Sequence, residues 1–317
     1  MLGNYRDNLG KAFVKMGEEF HDLVVVTADV SKSTRSIKFK ERYPDRFFSV
    51  GISEANAVGI SAGISTFGIP VIFTAYAMFA VEKPFEQIRN MLAYPNLNVK
   101  IVATHGGISV GQDGVTHQAI EDIAIMRAIP NMKVVIVGDP GEVISALRAV
   151  LNTPGPVYLR LARNEAPVIH ENEDDVDFKI GKAEILKEGT DVTIMAVGIM
   201  VYESLVAAER LEKEGISARV VNVRSVKPLD VEIVISAAKE TGAIVTAEDH
   251  NCYGGLGGAI AECLVKNFPV PMEQVALMDT FGRSGKASEL LERYGLTAIG
   301  IYNKAIKAVN RKKNAHG

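Results

Sequence analysis

Short β-branched runs alternate with longer amphipathic stretches along this chain, and that alternation restricts its fold more than any other feature. In the first half, runs with the composition of parallel strands buried on both faces lie at residues 23–27, 71–73, 99–103 and 133–137. Helical patterns separate them, at residues 9–20, 55–67, 84–93 and 141–152. The alternation predicts an α/β fold in which helices cover both faces of a mostly parallel sheet.

A second series of the same kind follows an acidic run at residues 171–177, whose composition is typical of a solvated linker. Its predicted strands lie at residues 192–196, 218–223 and 243–247, and its predicted helices at 202–214 and 230–240. A further helix is expected after the glycine-rich residues 254–258. We therefore predict two α/β domains, each a mostly parallel sheet flanked by helices, at residues 1–168 and 181–317, joined by an acidic linker at 169–180.

Composition and charge limit the classes of function. With 35 Lys and Arg against 38 Asp and Glu, the net charge of −3 gives no general reason to expect nucleic-acid or anionic-membrane binding. The N-terminus lacks the basic-then-apolar order of a signal peptide, and the chain has no membrane-spanning run of about 18 apolar residues. Cys252 and Cys263 are too few for a disulfide scaffold or a thiolate metal site. These features predict a cytoplasmic protein.

The first candidate binding segment, residues 27–35, directly follows a predicted strand. Ligands of parallel α/β sheets bind at the carboxyl ends of the strands. The segment combines Asp29 and Ser33 with the cations Lys32 and Arg35, and its backbone amides, hydroxyls and cations could hold an anion. An ordinary polar loop between a strand and a helix explains the same residues.

Glu54 marks the second candidate segment, because it opens a predicted helix whose other residues are nearly all small or apolar. A carboxylate there could simply favour the positive helix terminus. A helix of small residues, however, packs closely against another element or a partner chain. A carboxyl group in such a place would be shielded from water, which favours its protonated form and suits it to acid/base chemistry.

The third segment is the glycine-rich loop at residues 104–118, with the sequence Thr-His-Gly-Gly-Ile-Ser-Val-Gly-Gln-Asp-Gly-Val-Thr-His-Gln. It carries His105, Asp113 and His117, and its four glycines could let the backbone approach a ligand. A metal site is an alternative, disfavoured because no further carboxylate or cysteine lies nearby, and a purely structural loop is another. No glycine-rich dinucleotide fingerprint or phosphate-binding P-loop occurs, which argues against a nucleotide-binding module.

In this order, the three segments resemble those of the transketolase family, over its pyrimidine-binding and C-terminal domains. Residues 104–118 are similar, without a gap, to the family's Thr-His-x-x-Ile-x-x-Gly-Glu-Asp-Gly-Pro-Thr-His-Gln loop, with Gln112 for Glu and Val115 for Pro. Residues 51–54, Gly-Ile-Ser-Glu, resemble the family's Gly-Ile-Arg-Glu-His segment, although Ser53 and Ala55 replace its Arg and His. The resemblance extends over nearly the whole chain.

The resemblance implies that the chain binds thiamine diphosphate at a shared active site. Glu54 would contact the cofactor's aminopyrimidine ring, and Tyr76 and Phe79 would pack on that ring. Asp29, which keeps the family's separation from Arg6, would also lie at the cofactor. Packing in the core is the alternative explanation of the two aromatic residues.

The same resemblance implies catalytic roles for Glu54 and for three residues of the 104–118 loop. Glu54 would generate the reactive form of the cofactor by holding or sharing a proton with its pyrimidine. His117 would move protons beside the reacting carbon, and His105 would bind oxygens of the donor sugar. Asp113 would accept a hydrogen bond from the donor's C2 hydroxyl.

Three further residues resemble those that hold the phosphate of the sugar substrate. They are Arg6, Ser33 and Arg163, of which Arg163 stands in a Leu-Ala-Arg-Asn run whose likeness to the family's Ser-Arg is looser. A surface salt bridge is the alternative role for Arg163.

A segment expected of the complete enzyme is missing from this sequence. No Gly-Asp-Gly occurs, and the nearest run, Gly-Asp-Pro at residues 138–140, cannot form that loop. The resemblance therefore implies a separate N-terminal subunit that binds the diphosphate and Mg²⁺, so that this chain holds no metal itself. It implies two copies of each subunit, and a ketol transfer from a phosphorylated ketose to an aldose, as in the pentose phosphate pathway.

Other readings of the family resemblance stay open. The chain could be half of another thiamine-diphosphate enzyme, either similar to deoxyxylulose-phosphate synthase or to the β subunit of a 2-oxo acid dehydrogenase. It could also be a non-catalytic relative built on the same two domains, although the presence of all four catalytic residues argues against that.

Overall fold

The computed structural model describes residues 1–171 and 176–315 of the chain. Residues 172–175, which belong to the predicted acidic linker, lie outside the described residues, as do the last two residues. The strands of the first half are β1 (Leu2–Asn4), β2 (Val24–Thr27), β3 (Phe47–Ser49), β4 (Val71–Tyr76), β5 (Val99–Thr104), β6 (Lys133–Ile136), β7 (Val157–Arg160) and β8 (Glu165–Pro167). Its helices are α1 (Tyr5–Glu19), α2 (Ile37–Arg42), α3 (Glu54–Ser65), α4 (Ala77–Val81), α5 (Phe85–Gln87), α6 (Asp122–Ala128) and α7 (Val143–Leu151).

The second half repeats the alternation that the sequence predicts. Its strands are β9 (Glu184–Lys187), β10 (Val192–Ala196), β11 (Ala218–Asn222), β12 (Ser225–Lys227), β13 (Ile244–Asn251) and β14 (Met272–Leu277). Its helices are α8 (Met200–Glu212), α9 (Val231–Thr241), α10 (Leu256–Asn267), α11 (Ala287–Arg293) and α12 (Ala298–Ala315). The predicted fold class, two mostly parallel sheets flanked by helices, is confirmed.

The first sheet has the order β12-β6-β7-β5-β4-β2-β3, and the second has the order β14-β13-β10-β11-β9. Pairing is parallel except at β12 in the first sheet and β9 in the second, both of which are antiparallel edge strands. All four residues of β2 are buried, as expected of a strand covered on both faces. Because β12 comes from the second half but joins the first sheet, the two halves share one continuous structure.

The buried side chains connect the two halves. One apolar cluster contains Ile136 from β6 and Ala57 from α3 together with Val226, Val234 and Ile260 from the second half. A second cluster covers the other face of the first sheet, under α1 and α7, and a third surrounds the second sheet. Among the described residues, no helix combines the length and the apolar character needed to cross a membrane.

Residues 84–93, which the sequence predicts as one α-helix, form two different helical segments in the structure. Only the turn α5 is α-helical, and residues Ile88–Ala93 form a π-helical segment in which the amide of Tyr94 bonds the carbonyl of Arg89 at 2.9 Å. The segment still buries Ile88 and Leu92 in the core. The wider turn therefore keeps the apolar face that the helical pattern indicates.

His170, at the start of the predicted linker, is held by carboxylates from both halves. Its Nδ1 lies 2.7 Å from Oδ1 of Asp139, and its Nε2 lies 3.0 Å from Oε2 of Glu184. Burial opposes its charge, but the two hydrogen bonds outweigh burial and raise the pKa of His170 to about 10. The charged imidazole thus fixes the connection between the two sheets.

Replacing His170 with glutamine should destabilise the chain in a pH-dependent way. Since the pKa is raised from its ordinary value of 6.5, the stabilisation is complete below that pH and is lost as the pH rises towards about 10. We expect His170→Gln to lower the free energy of unfolding by about 2 kcal/mol near pH 6 and by much less near pH 10. Urea unfolding at both pH values measures this, with the exposed His21→Gln as control. An equal loss at both pH values would contradict a stabilising role for the charged form of His170.

Candidate active site

Glu54 is the first residue of α3 and is almost completely buried. A carboxylate at this position faces the unpaired amides of the helix's first turn, which favour negative charge. Its side chain is 6% exposed, and Oε2 accepts a hydrogen bond from Nζ of Lys83 at 2.9 Å. Lys83 itself is half exposed. Lys83 was not among the predicted residues, because it follows α4, 29 residues further along the chain than Glu54.

An aromatic cluster adjoins this ion pair. Tyr76 ends β4 and Phe79 lies in α4, so the turn between strand and helix stacks their rings with centroids 6.0 Å apart. Both are half-buried rather than sealed in the core. The Lys83 ammonium lies 5.2 Å from the Phe79 ring centroid, which places the Glu54 carboxylate beside the cluster.

The two predicted histidines complete the cluster from the loop at residues 104–118. The ring of His105 lies 3.9 Å from that of Tyr76, and the ring of His117 meets that of Phe79 edge-on at 5.1 Å. The structure thus brings together Glu54, two aromatic residues and two imidazoles from three separate segments of the chain.

His105 follows β5 directly and adopts a left-handed backbone conformation, with φ of 64°. Such a conformation is costly for a residue other than glycine and occurs often at functional sites. Burial, followed by the nearby cations Arg6 and Arg163, lowers the pKa of His105 to about 3. The imidazole is therefore neutral near pH 7 and can both donate and accept hydrogen bonds. Its Nδ1 lies 2.7 Å from Oγ1 of Thr104.

His117 and Asp113 are more accessible than His105. His117 is half-buried, and its Nδ1 lies 3.0 Å from Oγ1 of Thr116. Asp113 is exposed, and its Oδ2 lies 3.3 Å from Nη1 of Arg163. The loop therefore points one carboxylate towards the predicted phosphate-binding residues.

Two of the three predicted phosphate-binding residues meet in the structure. Arg6, at the start of α1, donates from Nε to the carbonyl of Arg163 at 3.0 Å. Burial, then Arg35 and then Arg163, lower the pKa of Arg6. Three guanidinium groups thus surround one region, which is the kind of field that attracts an anion.

The other residues predicted from the loop after β2 lie at the edge of this region. Ser33 is half-buried, two residues before Arg35. Asp29 is exposed and adopts a left-handed conformation with φ of 60°. A cavity of about 720 Å³ extends from Arg6 and Arg163 towards Tyr202 and Lys286 of the second half.

The glycines of the 104–118 loop allow close contacts with the second half of the chain. An added Cβ at Gly107 would lie 1.9 Å from Oδ2 of Asp249, and one at Gly114 would lie 2.4 Å from Oγ of Ser284. These glycines therefore let the loop pack closely against the second half of the chain. The approach of the loop backbone to a ligand stays a prediction. Their positive φ angles, +78° and +79°, also require glycine.

A buried charged network lies next to the loop, and its members were not among the predicted residues. Arg160, the last residue of β7, donates from Nε to Oδ2 of Asp122 at 2.7 Å and from Nη2 to the carbonyl of Asp249 at 2.9 Å. The Tyr158 hydroxyl donates to the same Asp122 oxygen at 2.5 Å. Burial alone would lower the pKa of Arg160, but Asp122 and Asp249 outweigh it and hold that pKa above its usual range.

Among the described residues, one group of side chains lies close enough together to hold a metal ion: Asp139, Glu142 and His170. None of them belongs to the cluster described above. Arg224 occupies this group, since its Nε donates to Oε1 of Glu142 at 2.6 Å. A guanidinium in that place opposes a metal ion. The predicted alternative, a metal bound by His105, Asp113 and His117, is not among the groups that the described residues form.

Comparisons with known proteins agree with this arrangement along the whole chain. The family model of the transketolase pyrimidine binding domain matches residues 3–168, and that of the transketolase C-terminal domain matches residues 181–301. A Methanocaldococcus jannaschii protein assigned as a transketolase C-terminal section is 44% identical, over 97% of this chain and 96% of its own length. The 6-deoxy-6-sulfo-D-fructose transketolase subunit of Clostridium sp. (strain MSTE9) is 40% identical, over 97% and 95%.

A solved structure agrees equally well. A split-gene transketolase, described as an inactive beta4 tetramer, matches with a TM-score of 0.89 and 44% identity, covering 98% of this chain and 99% of that one. The resemblance inferred from the three polar segments is therefore confirmed: the chain belongs to the transketolase family, and it comprises the family's pyrimidine-binding and C-terminal domains.

Proposed function

We propose that the chain is the C-terminal subunit of a split transketolase, which transfers a two-carbon ketol unit with thiamine diphosphate as cofactor. The observation that carries the proposal is the buried Glu54 carboxylate beside the rings of Tyr76, Phe79, His105 and His117. The matches that extend over nearly the full length of both proteins support it, because they are transketolase sections or subunits.

The residues of the cluster fit an aminopyrimidine ring. Tyr76 and Phe79 are half-buried aromatic side chains that offer a stacking surface, and Glu54 offers a carboxyl group at the edge of that surface. The carboxylate now pairs with Lys83 at 2.9 Å, so Lys83 would give up this bond when a ring nitrogen takes its place. Asp29 would lie further out, on the loop after β2.

Thiamine diphosphate would supply a nucleophilic carbon and an electron sink, which no protein side chain provides. Glu54 would hold or share a proton with the pyrimidine at a carboxyl oxygen. Neutral His105 would donate to or accept from the donor's oxygens. His117 would exchange protons through the ring nitrogen opposite its Thr116 contact, and Asp113 would accept a hydrogen bond from the donor's C2 hydroxyl.

Arg6, Ser33 and Arg163 would hold the phosphate at the far end of the sugar. The guanidinium group of Arg163 lies close enough to lower the pKa of Arg6, although burial and Arg35 lower it more. An anion placed between them would relieve this repulsion and form charge-assisted hydrogen bonds. Binding energy from a remote phosphate can then orient the reacting carbonyl.

Replacing Arg163 with methionine should weaken the binding of phosphorylated donors selectively. We expect KM for a phosphorylated ketose to rise by about tenfold or more, since a charge-assisted bond is lost, and KM for the unphosphorylated sugar to change little. Steady-state assays of the two-subunit enzyme with both donors measure the difference. Arg210→Met, on the exposed face of α8, is the matched control. An equal rise for both donors would refute the anchoring role.

A separate N-terminal subunit would bind the diphosphate and Mg²⁺, and it would pack against α3. An added Cβ at Gly63 of α3 meets no atom within 4 Å, so contacts inside this chain do not explain the glycine. Exposed apolar side chains flank the helix, among them Ile52 at 77% and Phe67 at 82% exposed. Such a surface is typical of a protein interface, and we propose an assembly of two copies of each subunit.

We also propose a division of the chain and a place for the reaction. Residues 1–168 would form the pyrimidine-binding domain and residues 181–317 the C-terminal domain, with a linker at 169–180 held by His170. The enzyme would act in the cytoplasm. The pentose phosphate pathway is one setting for this reaction, and the sulfo-sugar substrate in the name of one relative makes other ketose donors worth testing.

Calorimetric titration with thiamine diphosphate and Mg²⁺ tests the cofactor and the partner together. It would be done on this chain, on a candidate N-terminal subunit from the same genome, and on their mixture. We expect tight binding in the mixture alone, and weaker binding when the mixture contains Glu54→Ala. Equal binding by the N-terminal subunit alone and by the mixture would show that this chain contributes nothing to the site.

A further inference from the structure

One buried carboxylate of the second half binds the backbone of the loop at residues 104–118. Asp249 lies in β13 and is 3% exposed. Its Oδ1 accepts a hydrogen bond from the amide of Ile108 at 3.0 Å. The amide of Ser109 also favours the charged carboxylate, because it acts to lower the pKa of Asp249 against the effect of burial. These two amides lie at the start of a helical turn, where no carbonyl of the turn itself can reach them.

Gly107 is shaped to receive this carboxylate. A Cβ at residue 107 would lie 1.9 Å from Oδ2 and 2.6 Å from Oδ1 of Asp249, so the carboxylate fills the space of the missing side chain. The backbone φ of +78° independently requires glycine. Asp249 therefore determines both the path and the hydrogen bonding of residues 107–109.

The position of this contact along the loop connects it to the candidate active site. On one side, His105 directly follows β5 and is two residues before Gly107. On the other side, the turn from Ile108 leads to Asp113 and His117. A shift at residues 107–109 would therefore move the imidazoles relative to the aromatic cluster.

A second contact from the same strand supports this arrangement. The carbonyl of Asp249 accepts from Nη2 of Arg160 at 2.9 Å, and Nη2 of Arg160 also lies 3.3 Å from the carbonyl of Ala119. Arg160 thus contacts both Ala119, directly after the loop, and β13, whose Asp249 binds the first part of the loop. Both contacts are buried, where a change in hydrogen bonding has a large effect.

We propose that Asp249 is a positioning residue for the transfer reaction: its carboxylate, supplied by the C-terminal domain, sets the backbone of residues 107–109 and thereby the placement of His105 and His117. The inference rests on the proposed function of that loop. It gives the C-terminal domain a part in the reaction, although none of the proposed catalytic residues belongs to it.

The test compares Asp249→Asn with Glu248→Gln in the complete chain. Asparagine keeps the shape of the side chain and one acceptor, but it presents an amide donor to the second backbone N–H. Glu248 is the neighbouring residue, is equally buried, and bonds the amides of Leu256 and Gly257 at the start of α10. It therefore controls for the loss of a buried carboxylate in the same strand.

Hydrogen exchange on the isolated chain gives a readout that does not depend on catalysis. Asp249→Asn should speed exchange of the Ile108 and Ser109 amides by about tenfold or more, while Glu248→Gln should speed exchange only at the start of α10. Unchanged protection at residues 108 and 109 in a folded Asp249→Asn chain would overturn the proposal. So would an equal loop effect in Glu248→Gln.

Kinetics of the two-subunit enzyme provide the second readout. Misplacement of the imidazoles should lower kcat by about 10²-fold in Asp249→Asn. The affinity for thiamine diphosphate should stay unchanged, because Glu54, Tyr76 and Phe79 keep their contacts. A loss in cofactor affinity that matches the loss in kcat would show a general structural defect and refute positioning. If the wild-type mixture had no transferase activity, the proposed function would fail while the exchange result still decided the loop contact.

Gly107→Ala disrupts the same contact from the side of the loop. It therefore tests the proposal even if Asp249→Asn folds poorly. Its Cβ would collide with the carboxylate, so it should produce the same local loss of protection. In a double-mutant cycle, the combined effect of Gly107→Ala and Asp249→Asn should be smaller than the sum of the two, since both break one contact. Strictly additive effects would contradict the proposal.

Discussion

Replacing Glu54 with alanine should lower ketol transfer by about three orders of magnitude, because the pyrimidine loses the carboxyl group with which it would share a proton. The fold should survive. Glu54 forms an ion pair with Lys83, which is half exposed and can turn towards water, so the free energy of unfolding should change by about 1 kcal/mol or less. The rate is measured on the two-subunit mixture with cofactor and Mg²⁺ in excess.

Two further variants separate chemistry from stability in this experiment. Glu41→Ala removes an exposed carboxylate of α2 and should keep the wild-type rate. Glu54→Gln keeps the size of the side chain but cannot hold the proton in the same way, so it should lose nearly as much rate as Glu54→Ala. A Glu54→Ala enzyme that turns over within a few-fold of wild type would remove Glu54 from the catalytic residues.

Replacing Arg160 with methionine should lower the free energy of unfolding by about 3–5 kcal/mol, since it leaves the Asp122 carboxylate buried without its countercharge. The Arg160 side chain is 4% exposed and that of Asp122 is fully buried, with 2.7 Å between Nε and Oδ2. Breaking one side of such a pair is costly even where replacing both sides is not. Urea unfolding of the isolated chain measures the loss.

The matched control for Arg160 is an ion pair at the surface. Lys187 lies 3.0 Å from Glu212, and the two side chains are 32% and 65% exposed, so Lys187→Met should change the unfolding free energy by less than about 1 kcal/mol. Similar small losses in both variants would show that the buried network contributes little, and that packing alone holds β7 and α6 together.

The fold class and many of the buried strands could be predicted from the sequence, for a physical reason. Strands buried on both faces need continuous β-branched runs, and such runs are visible in residues 24–27 and 192–196 without any structure. Polar residues placed directly after those strands, such as His105, are conspicuous because they interrupt an apolar pattern. Both features depend on neighbours along the sequence.

Residues that act through distant contacts could not be found in this way. Lys83 reaches Glu54 across 29 residues, and Asp249 reaches Ile108 across 141. The contacts of the glycines in the 104–118 loop could not be predicted for the same reason, because the sequence shows the need for glycine but not the atom that fills the space. A charged residue at the end of a buried strand, as in Arg160, was the one available indication of the hidden network.

A ketol-transfer assay tests directly whether this chain is one subunit of a split transketolase. It would be done on this chain alone, on a candidate N-terminal subunit alone, and on their mixture. Xylulose 5-phosphate would be the donor and ribose 5-phosphate the acceptor, with thiamine diphosphate and Mg²⁺, and 6-deoxy-6-sulfofructose would serve as a second donor. We expect transfer in the mixture and none with either subunit alone. A stable mixture that transfers no ketol unit from either donor, or that consumes a 2-oxo acid instead, would contradict it.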